Sequence, residues 1–398
     1  MKKIIRLIFL LVIATGTNAL PCTIIMVRGN GVAIAGSNED FLTPLTMMWY
    51  TPASDKYYAR ICFGFRMVIN STQGGMNEKG LFVDGNSLGK QGWNPDPGKS
   101  TFMGSVLDQL LATCATVEEV KDFFRRYNCP VLDVARIPVM DKTGASMIVE
   151  WHNGDVVFLE TDANYQIATN FIGSDFIGRP KPCWRYNRAD SLLGKQPVLS
   201  ASSVRDALSA THVEGPGSET LYSFICDLKS GDISVYNFHD FSNALKLNIH
   251  DEAVKGRSMY FMSELFPGRS PAYQNFIQEG PLKMMYRGLR SGRQQALMFY
   301  NILKTTYPDA FSIQPGPDWL NRLAQKLYQE GRKEDAVFFL ERNCIDFPKN
   351  PEAHFELGKL YQESDNMDKA VKEFKKVLEI DPGHEGALKA LSQIEEFL

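Results

Sequence analysis

A cysteine at position 22 stands directly behind a segment with the composition of a secretory leader. If the peptide bond before Cys22 is cut, this one residue presents both a thiol and a free α-amine. The pKa of an α-amine, roughly 7.7 to 8.0, lies close to that of a thiol, so the amine can take the thiol proton directly or through a water molecule. Such a residue can attack a carbonyl carbon without a histidine as base.

The start of the chain has the pattern of a signal peptide. Residues 2–6 supply positive charge, residues 7–14 are a short apolar run, and residues 17–19 form a small-polar-small cleavage site. The apolar run is shorter than the roughly 20 residues that a membrane span needs, and no later stretch reaches that length. We therefore predict that residues 1–21 are a signal peptide and a short propeptide, and that the protein is secreted or periplasmic.

The composition is that of an ordinary globular protein, with 398 residues, a net charge of −3 and 44% hydrophobic residues. This near-neutral balance offers no electrostatic basis for binding nucleic acid. Seven cysteines are an odd number, and Cys22 is the candidate for the unpaired thiol. The other cysteines could form bridges or remain buried thiols, and no specific pair is predicted. Because neither the cysteines nor the scattered histidines have metal-type spacing, we expect no metal and no cofactor.

The first two thirds of the chain are rich in predicted strands. Two β-rich runs within residues 23–40 flank Gly29-Asn30-Gly31 and predict a hairpin rather than a phosphate loop, because no helix follows. A second hairpin is predicted at residues 220–239. Further strands are predicted at residues 57–69, 81–84, 135–140, 146–151, 156–160 and 165–169, and helices at 103–114 and 117–127. Alternation of this kind favours a layered α+β domain with sheets covered by helices.

The last third of the chain contains an internal repeat. Residues 317–350 and 351–384 share the 34-residue period of tetratricopeptide repeats. Residues that coincide in register are Ala336 and Ala370, Leu323 and Leu357, Leu340 and Phe374, and Pro348 and Pro382. We predict an all-α tetratricopeptide domain at 294–398, with 385–398 as its closing helix, after a transition segment at 261–293. The repeats could stabilise the fold or bind a peptide or protein partner.

Several short segments occur in a characteristic order: Cys22-Thr23, Gly36-Ser37-Asn38-Glu39-Asp40-Phe41, Gly75 to Leu81, the hairpin from Asp141 to Glu150-Trp151, and Thr169-Asn170. In this order and spacing they resemble the choloylglycine hydrolase and penicillin V acylase family, and are similar to isopenicillin N acyltransferases and acid ceramidases. The resemblance covers about residues 22–240, within a catalytic domain predicted at 22–260. It implies the N-terminal nucleophile hydrolase fold, an αββα sandwich of two sheets between helix layers, and cleavage of linear amide C–N bonds.

By this resemblance Cys22 is the nucleophile and its own α-amine is the base. Asp40 matches the aspartate that holds the amine, a role that a carboxylate on the paired strand can perform; the alternative is a turn aspartate. Asn170 matches an asparagine whose amide donates to the oxyanion; the alternative is a cap at the end of a strand. Asn86 falls near a further oxyanion donor, one residue out of register, and is equally compatible with a plain turn.

Two arginines of the family have no evident counterpart. Many members carry an arginine beside the thiol, where this chain has Ser37. A second, late arginine has no clear match. Arg60 and Arg66 lie on a predicted strand and could supply the charge, although surface arginines are the commoner case. These departures weaken the argument for bile salts as substrates and leave amide cleavage as the favoured reaction.

The favoured hypothesis is an exported, self-maturing hydrolase that cleaves an N-acyl or peptide-like small-molecule amide through an acyl-cysteine on Cys22. Attack by an amine instead of water would make the protein an acyltransferase. A different class is a non-catalytic tetratricopeptide protein that binds a partner and carries a decayed hydrolase domain. A lipidated or disulfide-bonded Cys22 is a further alternative. Removal of Leu20-Pro21 could be autocatalytic or the work of another peptidase.

Overall fold

The computed structural model describes residues 22–41, 45–65, 72–214, 218–266, 270–311 and 316–397. The predicted leader and Arg66 therefore lie outside the described residues. The chain divides into two compact units, the first ending at Ile277 and the second beginning at Gln278. This division falls within the predicted transition segment.

The first unit contains the strands, which are numbered in chain order. They are β1 (Cys22–Gly29), β2 (Val32–Phe41), β3 (Thr46–Thr51), β4 (Arg60–Phe65), β5 (Thr72–Asn77), β6 (Phe82–Asp84), β7 (Asn86–Ser87), β8 (Ser100–Thr101), β9 (Tyr127–Asn128), β10 (Ala135–Met140), β11 (Ser146–His152), β12 (Asp155–Glu160), β13 (Tyr165–Ala168), β14 (Glu219–Asp227), β15 (Asp232–Asn237), β16 (Ala244–Asn248) and β17 (Ser258–Phe261). Its helices are α1 (Val106–Thr113), α2 (Val117–Arg126), α3 (Trp184–Leu193), α4 (Ala201–Ser209), α5 (Ile249–Lys255) and α6 (Met262–Leu265).

Two large antiparallel sheets form the centre of the first unit. One has six strands in the order β13-β1-β2-β14-β15-β16, and the other has the order β12-β11-β10-β6-β5-β4-β3-β17 with β7 paired to β10. The sheets meet face to face through aromatic side chains. The rings of Phe63 and Phe224 stack at 4.2 Å, and those of Phe82 and Phe224 lie 5.9 Å apart. Each such pair contributes about 0.5–1.5 kcal/mol beyond the area it buries.

Helices cover the outer face of each sheet. Ala189 of α3 and Val204 of α4 pack against Ile25 and its neighbours on the first sheet. Leu110 of α1 and Val120 of α2 belong to the corresponding core of the second sheet. The expected αββα sandwich is confirmed. No helix in the described parts of the chain is both long enough and apolar enough to cross a membrane.

The β1–β2 hairpin is present as predicted. Its turn residues Asn30 and Gly31 both have positive φ, 50° and 84°, the conformation that asparagine and glycine tolerate best in tight hairpins. Sequence patterns missed seven strands, β3, β5, β7, β8, β9, β16 and β17, and the helices α3, α4, α5 and α6 of the first unit. The sequence of β5, TQGGMN, contains two glycines, and only pairing with β4 and β6 makes it a strand.

The second unit is helical. After α7 (Pro271–Gly288), which crosses the division, come α8 (Arg293–Phe311), α9 (Asp318–Gln329), α10 (Lys333–Asp346), α11 (Pro351–Glu363), α12 (Met367–Ile380) and α13 (Glu385–Phe397). The repeat register is confirmed, because Ala336 and Ala370 are both fully buried at equivalent positions. Much of the predicted transition segment is the helix α7, which the sequence patterns did not predict. That helix contains Pro281, a residue that argues against a helix interior.

Gly358 provides a test of the repeat packing. A Cβ atom at this position would lie 2.6 Å from the Phe374 ring, so we expect Gly358→Ala to destabilise the second unit by about 1–3 kcal/mol. Thermal unfolding followed by far-ultraviolet circular dichroism measures the change. Gly383→Ala is the matched control, because its nearest neighbour is 3.6 Å away; an equal loss in both variants would contradict the packing described.

Candidate active site

Cys22 begins β1 at the end of the first sheet where β2 also ends. It pairs directly with Glu39, so both side chains lie on the same face of the sheet, the face that looks toward the second sheet. The Cys22 side chain is 6% exposed, and its Sγ lies 3.9 Å from Glu39 Oε2. Burial, with the nearby charges of Glu39 and Asp40, raises the pKa of the Cys22 thiol well above its ordinary value.

Asp40 follows Glu39 and points to the opposite, helix-covered face. The Thr220 hydroxyl donates to Asp40 Oδ1, and the Arg185 guanidinium lies 3.9 Å from Asp40 Oδ2. The backbone N–H of Asp40 acts to lower the pKa of the Cys22 thiol, against the larger effect of burial. Burial raises the pKa of the Asp40 carboxyl, while Thr220 and Arg185 act in the opposite sense. The structure thus brings Asp40 to Cys22, as expected.

Asn170 lies two residues beyond the end of β13 and contacts Cys22 directly. The backbone N–H of Cys22, which occupies the position of the future α-amine, donates to Asn170 Oδ1 at 2.8 Å. The Asn170 side-chain amide donates to the backbone oxygen of Ser87 at 2.8 Å. In this state Asn170 therefore holds the nitrogen of residue 22, and its role as an oxyanion donor stays a prediction.

Asn86, on β7, also reaches Cys22. Its Nδ2 donates to the backbone oxygen of Cys22 at 3.4 Å, and the whole residue is buried. This places Asn86 beside the backbone of the nucleophile rather than in a remote turn. Its oxyanion role remains a prediction.

Arg185 is the site residue that the sequence patterns missed. Its Nη1 donates to the backbone oxygen of Cys22 at 2.5 Å, and its Nη2 donates to Asn170 Oδ1 at 2.9 Å. Arg185, Ala189 and Leu193 are the buried residues of α3, one above the other on a single face. The signal in the sequence that could have identified Arg185 is an arginine at a position on the apolar face of a helix. Arg60, by contrast, pairs with Asp108 of α1.

A buried ion pair supports the loop that carries Asn170. Glu150 accepts backbone hydrogen bonds from Gly173 and Ser174 at 3.0 and 2.7 Å. Arg136 lies 3.8 Å from Glu150 and donates to the backbone oxygen of Phe171. Burial lowers the pKa of Arg136 to about 10. Charge-assisted bonds of this kind hold the loop in one position relative to β1.

A second buried acidic group lies on the thiol side of the first sheet. Glu39 and Asp84 of β6 are fully buried and joined by a side-chain hydrogen bond. Burial raises the pKa of Glu39 to about 7. Burial and the charge of Glu39 raise the pKa of Asp84 well above its ordinary value.

Among the described residues, cysteines and histidines take part in two groups that could hold a metal ion. All seven cysteines lie in the described residues and none is bonded to another. Folding brings His212, Glu214 and His239 together, with the two imidazole rings stacked at 4.8 Å. A second group, Cys344, His354 and Glu373, lies in the repeats. Both ring nitrogens of His354 already have partners, Glu373 and the backbone of Pro348.

The second unit contains a cavity of about 230 Å³ between helices of the repeats. It is lined by Asn321, Ala324, Gln325, Tyr328, Leu340, Glu356, Lys359, Leu360 and Glu363. The lining combines apolar side chains with charges of both signs, a surface that could accept a peptide.

Comparison with known families identifies two regions of the chain. Residues 27–191 match the model of the family described as acyl-coenzyme A:6-aminopenicillanic acid acyl-transferase. Residues 351–384 match the tetratricopeptide repeat. Among curated proteins no match was found.

Solved structures similar to the chain fall into the same two groups. A mutant of the conjugated bile acid hydrolase from Clostridium perfringens is 17% identical, with a TM-score of 0.49 over 61% of this chain and 96% of its own. Penicillin V acylase from Agrobacterium tumefaciens is 19% identical, with a TM-score of 0.44 over 54% of this chain and 82% of its own. The first tetratricopeptide domain of human RPAP3 is 17% identical, with a TM-score of 0.21 over 29% of this chain and 90% of its own.

The strand-rich part of the chain therefore combines an αββα sandwich with a match, over residues 27–191, to the family described as acyl-coenzyme A:6-aminopenicillanic acid acyl-transferase, and residues 351–384 further along the chain match the tetratricopeptide repeat.

Proposed function

We propose that the protein is an exported, self-maturing hydrolase that cleaves the amide bond of an N-acyl or peptide-like small molecule, with Cys22 as its N-terminal nucleophile. The observation that carries the proposal is the set of contacts around the backbone of residue 22. Its nitrogen donates to Asn170 and its carbonyl oxygen accepts from Arg185. Backbone N–H and C=O groups at the end of a strand usually bind other backbone groups or water, whereas here buried side chains bind both of them.

The reaction follows from these positions. The α-amine of Cys22 takes the thiol proton, and the sulfur bonds to the carbonyl carbon of the substrate amide. Amide hydrogens of Asn86 and Asn170 are available to the oxyanion once they leave the backbone oxygens that they bind here. The C–N bond then breaks, and the leaving amine takes the proton from the α-ammonium group. Water hydrolyses the thioester, which releases a carboxylic acid and restores the thiol.

Arg185 supplies the positive charge that Ser37 does not. It is 6% exposed and contacts Asp40, Asn170 and the backbone of Cys22. A buried guanidinium keeps its charge and binds several acceptors in a fixed plane. It therefore favours the carboxylate form of Asp40, in the opposite sense to burial, and holds Asn170 in the orientation that accepts the nitrogen of residue 22.

Acyl transfer is the second candidate, because the matched family is described as an acyl-transferase. The same acyl-cysteine would then be attacked by an amine instead of water. Hydrolysis assays with and without added primary amines, analysed by mass spectrometry, distinguish the two outcomes by the product formed. The repeats and their cavity would serve a peptide or protein partner in either case.

The first test concerns the N-terminus of the exported protein. We expect intact-mass analysis to find a chain that begins at unmodified Cys22. Such a chain should hydrolyse at least one member of a panel of fluorogenic N-acyl aminocoumarin amides. Cys22→Ser should lower the hydrolysis rate by roughly 10³-fold or more, because the nucleophile is lost.

Cys344→Ser, in the repeats, is the matched control and should keep the activity. A chain that begins at Leu20 with full activity would contradict the proposal. An acylated Cys22 would indicate an anchored protein instead.

The second test concerns Arg185. Arg185→Ala should lower kcat/KM by about 100-fold or more, because Asp40 loses its ion pair and Asn170 a donor. Arg185→Lys should recover part of the loss, since it keeps the charge but not the planar set of donors. Arg188→Ala, an exposed arginine on the same helix, should behave as the unmodified protein. If both alanine variants behave alike, the assigned role of Arg185 is wrong.

A further inference from the structure

Beside Cys22 lies a pair of carboxyl groups that the proposed reaction does not use. Glu39 lies opposite Cys22 across the β1–β2 pair, and its Oε2 is 3.9 Å from the sulfur. Asp84 reaches Glu39 from the second sheet, and both are at most 1% exposed. Burying two acids costs free energy unless they are neutralised or hydrogen-bonded. Their place beside a nucleophile is a reason to look for a role.

The surrounding residues hold the pair in place. The Ser37 hydroxyl donates to Glu39 Oε1 at 2.7 Å, and the backbone N–H of Gly85 donates to Asp84 Oδ1 at 2.7 Å. Gly74, which pairs with Asp84, leaves the space for its carboxyl group: a Cβ there would lie 2.3 Å from Asp84 Oδ2. Strand pairing therefore positions the two acids, and the missing side chain of Gly74 leaves the space for the Asp84 carboxyl group.

Two ionised carboxylates this close would repel each other, so the pair favours a state in which one of them is protonated. Asp84 Oδ2 is buried and has no hydrogen-bond partner, which favours the protonated form of this carboxyl group. Burial raises the pKa of Glu39 to about 7, and the hydrogen bond from Asp84 acts in the opposite sense. Asp84 therefore keeps its proton, while Glu39 gains or loses one near neutral pH.

The titratable groups that face Glu39 come from each packed element. They are Cys22 on β1, Tyr222 on β14 and Asp84 on β6, and Asp40 follows Glu39 in β2 with its side chain on the opposite face. None of these four is a cation. The Arg185 guanidinium contacts Asp40 on the opposite face of the sheet. Among the described residues, the acceptor that contacts the Cys22 sulfur on this side of the sheet is therefore Glu39 Oε2.

Before maturation the nitrogen of residue 22 cannot act as a base. It is a peptide nitrogen, and its N–H donates to Asn170. A thiol must lose its proton to attack a carbonyl, so self-cleavage requires another acceptor. We propose that Glu39, hydrogen-bonded to Asp84, accepts the Cys22 thiol proton in the self-cleavage that exposes residue 22. This inference rests on the proposed function.

The self-cleavage needs no reactant other than the chain itself and one water molecule. The thiol proton moves to Glu39 Oε2, and the sulfur bonds to the carbonyl carbon of Pro21. The bond from that carbon to the nitrogen of Cys22 breaks as Glu39 returns the proton to the nitrogen. Water then hydrolyses the thioester, leaving a carboxyl group on Pro21 and a thiol on Cys22. From that point the new α-amine takes over as base.

The first experiment follows self-cleavage in the purified full-length chain by intact mass across pH. We expect the rate to rise with pH through about 7, as Glu39 loses its proton. Glu39→Gln should slow cleavage by about 100-fold or more, the contribution of a general base. Asp84→Asn should stay within a few-fold, because its amide can donate the same hydrogen bond. Glu252→Gln, another buried glutamate, is the control.

The second experiment uses chains made to begin at Cys22 by removal of an affinity tag, with iodoacetamide as the probe of thiol reactivity. Here Glu39→Gln should alkylate Cys22 within a few-fold of the unmodified rate, because the α-amine is present. A loss in both experiments would mean that Glu39 only supports the fold and would overturn the inference.

Two further outcomes separate the inference from the proposed function. If the full-length chain stays uncut while the chain beginning at Cys22 reacts rapidly and hydrolyses amides, maturation belongs to another peptidase and the role of Glu39 is wrong, but the proposed function stands. If Cys22 of the chain beginning there reacts no faster than the buried Cys62, the proposed function itself fails. Cleavage of Glu39→Gln at the unmodified rate also overturns the inference.

Discussion

The antiparallel register of β1 and β2 is the constraint on which the site depends. Because Cys22 stands opposite Glu39, its sulfur faces the space between the two sheets. Asp40, one residue further, faces the helices on the other side. The backbone of residue 22 sits at the boundary between these environments. A slip of one residue would exchange the faces and place the sulfur among the helices.

The two faces hold different charges. On the helix side the Arg185 guanidinium lies 3.9 Å from Asp40 and donates to Asn170. On the inner side Glu39 and Asp84 have no cation in contact among the described residues, and burial raises the pKa of both carboxyl groups. This difference between the two faces matches the different requirements of the nitrogen and the sulfur of Cys22. The nitrogen is held by acceptors, whereas the sulfur needs a group that can take a proton.

Residues that do not contact Cys22 also hold the site in place. The loop that carries Asn170 is fixed by Glu150 and Arg136 of the second sheet, and Asn86 comes from β7 of that sheet. The sandwich therefore positions the site by packing one sheet on the other, with the Phe63–Phe224 stack between them. The repeats form a separate compact unit with their own core, in which Gly358 makes room for Phe374.

The sequence by itself determined the features that depend on local pattern. The hairpin follows from Asn30 and Gly31, the repeats follow from their period, and Cys22, Asp40 and Asn170 stand in recognisable segments. Each of these needs only neighbours in the chain or a fixed spacing.

Only the tertiary structure decided the rest. Arg185 joins the site because α3 packs its apolar face onto the first sheet, and Glu39 meets Asp84 because the two sheets stack. The glycine-containing strand β5 exists because its neighbours supply the hydrogen bonds. Contacts between segments distant in sequence carry no local signal, because the free energy that selects them comes from burial and pairing across the fold.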